Sequence, residues 1–150
     1  MHKYTLAFVF ALLIALPAGA SDRTDVMSVV HRWVDGFNSA DANSAIATCA
    51  DQTAVIDDFP PHEWHGPGAC KRWFGDFESM SKSEGITNPS IVVEAASHTE
   101  ITKEFAYVVG PVKLSFERKG TRVMDKGILT LTLQNGTSGW RITGWVWSDQ

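Results

Sequence analysis

Residues 104–133, EFAYVVGPVKLSFERKGTRVMDKGILTLTL, alternate apolar and polar side chains over most of their length and reverse once, at Lys119-Gly120. A period of two puts successive side chains on opposite faces of a strand, and a short glycine-containing turn between two such runs closes a hairpin. Strands are therefore expected over 104–118 and 121–133. The pattern continues downstream, where 134–139 carry turn chemistry around Asn135-Gly136 and 140–147 form a third strand. Upstream, 89–97 supplies a fourth. Gly110-Pro111 lies inside the first long run and predicts a bulge that bends the sheet.

The half of the chain before this meander has a different period. Val26, Val29, Val30, Trp33, Val34 and Phe37 recur at three-four spacing, which predicts a helix over 21–40 with Asp22 or Thr24 as its cap. Turn residues at 38–41 follow, and Asp41 can cap a short second helix over 42–49. A short apolar strand over 53–57 comes next, ended by Pro60-Pro61, which cannot continue a ladder. A third helix is expected over 66–81, with Pro67 in its first turn and Cys70, Trp73, Phe74, Phe77 and Met80 along one side. Helix, helix, strand, helix and then a meander is an α+β order: three N-terminal helices packed on a curved, mainly antiparallel sheet. A long bent sheet closed by helices leaves a concave cavity, and such cavities take small molecules.

The first residues read differently. Lys3, an apolar run to Leu16 and then Pro17-Ala18-Gly19-Ala20 have the three regions of a secretory signal peptide, with cleavage expected before Ser21. The expected domains are thus a signal segment over 1–20 and one domain over 21–150. Losing Lys3 from 13 basic residues leaves 12 against 17 acidic, so the formal charge moves from -4 to -5. That balance disfavours nucleic acid and, after cleavage, an anionic membrane as partners. Export, to a periplasm or beyond, exposes Cys49 and Cys70 to oxidising conditions. They read either as one disulfide or as two small buried hydrophobes.

Most of the candidate chemistry lies over 54–73. Asp57 and Asp58 end the apolar strand, and His62, Glu63, Trp64 and His65 follow. Asp57 is the candidate base, since a carboxylate at the mouth of an apolar pocket has its pKa raised toward neutrality. Alternatively it accepts hydrogen bonds from the start of the third helix. Asp58, on the opposite strand face, is expected in solvent. His62 and His65 read as packing or lid residues, and no metal and no cofactor are expected: His-x-x-His has no completing ligand, and no glycine-rich phosphate loop follows a strand. His31 falls at a polar rim of the first helix. Trp33 and Tyr107 are the aromatics whose polar tips are expected to reach the cavity. On the last strand Trp140, Ile142, Gly144 and Val146 share one face, and Arg141, Thr143, Trp145 and Trp147 the other.

Val29-Val30-His31-Arg32-Trp33-Val34-Asp35-Gly36-Phe37-Asn38-Ser39-Ala40-Asp41, then Ala50-Asp51-Gln52-Thr53-Ala54-Val55-Ile56-Asp57 and the closing Gly139-Trp140-Arg141-Ile142, resemble the NTF2-like superfamily in its SnoaL-like and ketosteroid-isomerase-like branch. The resemblance covers the chain after residue 20. It implies the NTF2-like (cystatin-like) cone, with a pocket walled by the first helix, the end of the first strand and the inner face of the sheet. It also implies a homodimer formed through the outer face. Asp57 falls where the isomerases keep their catalytic carboxylate, Trp33 where they keep a tyrosine donor, and Thr130 near their second donor. The steroid-isomerase donor set is therefore missing. The pocket is expected to be lined by Trp33, Phe37, His62, Trp64, Trp73, Tyr107, Thr130 and Trp145. The expected function is binding of a hydrophobic, oxygen-bearing small molecule, with isomerase- or cyclase-type proton transfer by Asp57. The competing reading is a non-catalytic binding or dimerisation module, and the two separate on whether Asp57 faces a cavity.

Overall fold

The computed structural model describes residues 18–150. The signal segment expected over 1–20 lies outside these residues except for Ala18-Gly19-Ala20, which open the first helix. That helix, α1 (Ala18–Asn38), is followed by α2 (Ala42–Ile46), β1 (Cys49–Ile56), β2 (Glu63–Pro67), α3 (Ala69–Glu84), β3 (Ile86–Val93), β4 (His98–Ile101), β5 (Phe105–Arg118), β6 (Thr121–Gly136) and β7 (Gly139–Asp149). The strands form one sheet in the order β2-β1-β7-β6-β5-β3, with β4 also on β5. All pairings are antiparallel except β1 with β7.

Several boundaries differ from expectation, each for a local reason. Glu63–Pro67 pairs with β1 and is a strand rather than part of a loop; only Trp64 in it is buried, so it carries no apolar alternation to read. Pro67 ends that strand instead of opening α3, and Gly68, at φ 67°, caps the helix. The second helix stops at Ile46 because Cys49 already pairs with Ile142 in β7. Gly110-Pro111 holds its register with Leu129 and Ile128. The interruption lies opposite: the expected strand over 89–97 begins earlier, at Ile86, and ends at Val93, β4 starts only at His98, and between them the Glu94 and Ser97 amides reach the Pro111 and Val109 carbonyls. The Lys119-Gly120 turn is as expected, with both residues at positive φ, which matches the twist of a two-residue hairpin. The next turn is Thr137-Ser138 rather than Asn135-Gly136, since Gly136 pairs with Gly139.

One irregularity governs the interior. Thr132 pairs with Gly144 but Leu133 pairs with Ile142, so Thr143 is an extra residue in β7. A bulge of one residue moves the side chains beyond it to the other face. Trp140 and Ile142 before it, and Trp145 after it, are consequently all buried on the inner face. The sequence alternation had placed them on opposite faces. Gly144 permits the close approach: a β-carbon there would lie 2.7 Å from the Ala54 carbonyl oxygen.

The core lies between this inner face, with Val108, Val112, Leu129, Leu131 and Leu133, and the apolar sides of α1 and α3. A disulfide joins Cys49 to Cys70, tying the start of β1 to the first turn of α3 across a Cα separation of 6.5 Å. Asn38, the last residue of α1, fastens the open edge of β3 by accepting from the Ile91 amide at 2.8 Å and donating to its carbonyl at 2.9 Å. Asp41 caps α2 through the Ser44 amide. Asn38→Ala leaves two backbone groups of an edge strand without partners, and a loss of about 2 kcal/mol is expected; denaturant unfolding at constant slope measures it, and a change under a few tenths would show the clamp to be dispensable.

Candidate functional site

Thr53, Val55 and Asp57 point inward from β1 while Ile56 is about half exposed on the outer face. Asp57 therefore leaves the strand aimed at the interior. Its backbone amide bonds to the His62 carbonyl at 3.0 Å, closing the turn that the prolines impose. Its carboxylate accepts from the Trp73 indole Nε1 at 2.9 Å and from the Asp58 amide at 2.8 Å. The partner from α3 is thus a side chain in the second turn and not the helix N-terminus. Burial pushes the Asp57 carboxyl from 3.8 up to about 7, and the neighbouring Asp58 carboxyl adds to the rise, against the hydrogen bonds from the Asp58 amide and from Trp73.

A cavity of about 280 Å³ opens beside this carboxylate. Among its lining residues are Trp33 and Phe37 from α1, Trp73 and Phe77 from α3, and Trp145 and Trp147 from β7. The rings brace one another: Trp145 lies 5.3 Å from Trp33 and edge-on to Trp73 at 5.2 Å, and Trp73 stacks on Phe77 at 5.4 Å. These contacts fix the indole that holds Asp57. Trp33 is 3% exposed, and its Nε1 has no hydrogen-bond partner. A buried N–H without a partner costs about 1–3 kcal/mol. Exposed Asp58, Glu84, Arg118 and Asp125 stand at the rim, with Arg118 paired to Glu84 at 3.0 Å.

Four of the expected pocket residues, Trp33, Phe37, Trp73 and Trp145, meet Asp57 at this cavity, and four do not. His62 is exposed at φ 73°, its ring turned back to the Asp57 carbonyl at 3.1 Å. Trp64 is buried behind Phe59 and gives its N–H to Asp76 at 2.7 Å. Tyr107 and Thr130 lie on the outer face, because the inward positions are Ala106 and Val108 on β5 and Leu129 and Leu131 on β6. Tyr107 is 41% exposed and meets only the ring of His98 edge-on at 6.0 Å. The outward Thr130 cannot act as a second donor. Asp125 was not foreseen, although the inward parity of Leu129, Leu131 and Leu133 extends to it. Trp147 was hidden by the bulge; its ring lies over Gly127, where a β-carbon would come within 2.8 Å. Among the described residues no three His, Cys, Asp or Glu side chains gather closely enough to hold a metal ion.

The sequence matches no family model and no curated protein. Solved structures do match the fold. An NTF2-like superfamily protein from Salmonella enterica serovar Typhimurium superposes with a TM-score of 0.74 at 14% identity, covering 88% of this chain and 93% of that one. The chain has the NTF2-like fold. An NTF2-like protein with a cystatin-like fold from Novosphingobium aromaticivorans gives 0.70 at 14% identity over 87% and 82% of the two chains. A ketosteroid isomerase-like protein from Erwinia carotovora atroseptica gives 0.65 at 14% identity over 84% and 94%.

Within this NTF2-like cone the raised Asp57 has a thermodynamic signature. Between pH 4 and 7 the folded protein keeps a proton that the unfolded chain has released, so stability falls as pH rises through this window and levels off above about 7. Asp57→Asn should remove that fall, on the order of a few kcal/mol at most. Denaturant unfolding from pH 4 to 8 measures it. Parallel curves for the two proteins would show that Asp57 is not held protonated.

Proposed function

We propose that the protein binds a hydrophobic, oxygen-bearing small molecule in its cone and moves a proton on it, with Asp57 as the base. The observation that carries this reading is the inward Asp57 carboxylate, held by Trp73 at 2.9 Å on the wall of an aromatic cavity. A group that titrates near 7 is present in both forms at neutral pH. It can therefore take a proton from one carbon and return it to another, as an isomerase or cyclase requires. In such a step the C–H electron pair moves toward the adjacent carbonyl, whose oxygen becomes an enolate; the Trp33 N–H is unpartnered but enclosed by its neighbours, so those rings must shift before it can donate to that oxygen. A single indole is a weak stabiliser, which favours substrates whose carbon acid is already activated. The outward position of Thr130 argues against the two-donor chemistry of steroid isomerisation.

Incubation in D₂O with a panel of cyclic enones, followed by proton NMR of the carbon next to the carbonyl, tests the chemistry. Exchange by the native protein should exceed that by Asp57→Asn by at least about 100-fold, with ligand affinity preserved and an unfolding midpoint no lower than the native protein's. Simultaneous loss of binding and exchange would mark Asp57 as a structural group. Absence of exchange with the native protein across the panel would leave the non-catalytic module.

The outer face supports a second, compatible reading. Ile56 on β1, Val92 on β3, Tyr107 on β5 and Met124 on β6 are exposed there, with β7 between β1 and the rest, and a sheet face carrying apolar side chains can be covered by a partner. We infer a homodimer through this face, in an exported protein in which the Cys49–Cys70 disulfide suits an oxidising compartment. A native mass spectrum of protein purified from its own host should give a subunit pair, each chain beginning at Ser21 and oxidised. A monomer that retains Met1 and both thiols would contradict all three.

A further inference from the structure

The cavity wall carries more information than its shape. We propose that the ligand is a compact organic cation: one or two rings bearing a protonated amine, with an oxygen acceptor on the apolar body. This rests on the reading of the cone as a small-molecule site and names the class of molecule that fits it.

Four carboxyl groups reach the cavity, those of Asp57, Asp58, Glu84 and Asp125, against one guanidinium. That guanidinium is already occupied, since Arg118 pairs with Glu84. Asp58 and Asp125 belong to no ion pair among the described residues. An anionic ligand would meet carboxylates with no free cation to receive it, whereas an ammonium group would find two unpaired acids at the rim. The rest of the wall suits the same charge. Trp33, Trp73, Trp145 and Trp147 line the cavity, and indole faces are the best aromatic partners for a cation. The wall already shows this contact once, with the Arg118 guanidinium 5.3 Å from the centre of the Phe116 ring.

The acidic rim does not stand alone. The Trp33 N–H on the same wall is buried and unpartnered, and an oxygen acceptor on the ligand reaches it once the enclosing rings shift. The volume sets the size. About 280 Å³ is close to twice the roughly 150 Å³ cavity that accommodates benzene, so it admits one or two rings and not four.

Isothermal titration with three probes that share one ring separates the possibilities: 2-phenylethylamine as the cation, 2-phenylethanol as the neutral form and phenylacetate as the anion. The amine should bind at least ten-fold more tightly than the alcohol, and phenylacetate not measurably. Asp125→Asn, a substitution at an exposed rim position, should weaken the amine three- to ten-fold and leave the alcohol unchanged. Equal binding of amine and alcohol, or binding of phenylacetate, would overturn the cation assignment while keeping the small-molecule site. If none of the three binds and the tryptophan fluorescence is unmoved by all of them, the site reading fails and the assignment with it.

Discussion

The extra residue at Thr143 is the constraint on which the interior depends. Without it, β7 would present Trp140 and Ile142 to the core and turn Trp145 and Trp147 toward solvent, as strict alternation requires. With it, four large side chains of one strand face the same way, and Trp145 wedges between Trp33 and Trp73. Trp73 is in turn the donor that holds Asp57. The orientation of the half-buried Asp57 carboxylate is thus tied to a bulge on β7, the strand next to β1 in the sheet. Bulges commonly re-aim side chains next to functional sites in this way.

The cone combines two environments that a small protein usually keeps apart. Its depth is aromatic and of low polarity, which is why Asp57 holds its proton so far above the ordinary carboxyl range. Its rim is acidic and solvated, with Asp58 and Asp125 exposed. The division follows from element ends: Asp58 sits in the turn after β1, Asp125 near the β5–β6 hairpin and Glu84 at the end of α3, while most of the rings come from element interiors. Polarity therefore changes along the cavity axis, and an amphiphilic molecule has one favoured direction of entry.

Much of this was legible from residue periodicity. The hairpin at Lys119-Gly120, the apolar stripe of α1 and the strand that ends in Asp57 could all be read, because each is governed by local pattern. The Asn38 to Asp41 segment could be placed, and the structure supplies its reason in the Ile91 clamp and the Ser44 cap. What could not be read was governed by partners distant in sequence. β2 is a strand only because β1 pairs with it. Tyr107 and Thr130 were assigned inward, although the parity of their apolar neighbours turns them out. Gly144 was the one mark of the bulge in residues 140–147, since a glycine inside a strand commonly signals one, but alternation alone could not say which way Trp145 and Trp147 then turn. The Cys49–Cys70 pairing needed a Cα distance that only the packing of β1 against α3 provides.

That disulfide has a consequence of another kind. It closes a covalent ring, 21 residues in sequence separation, that contains β1, the Asp57 turn and β2. Ring closure of this size removes about 3 kcal/mol of chain entropy from the unfolded state. It also makes the exposed 57–62 turn tolerant of damage. A peptide bond cut at its exposed positions by a protease would leave both halves joined through sulfur and paired along β1 and β2, so this turn can be nicked without the two pieces separating.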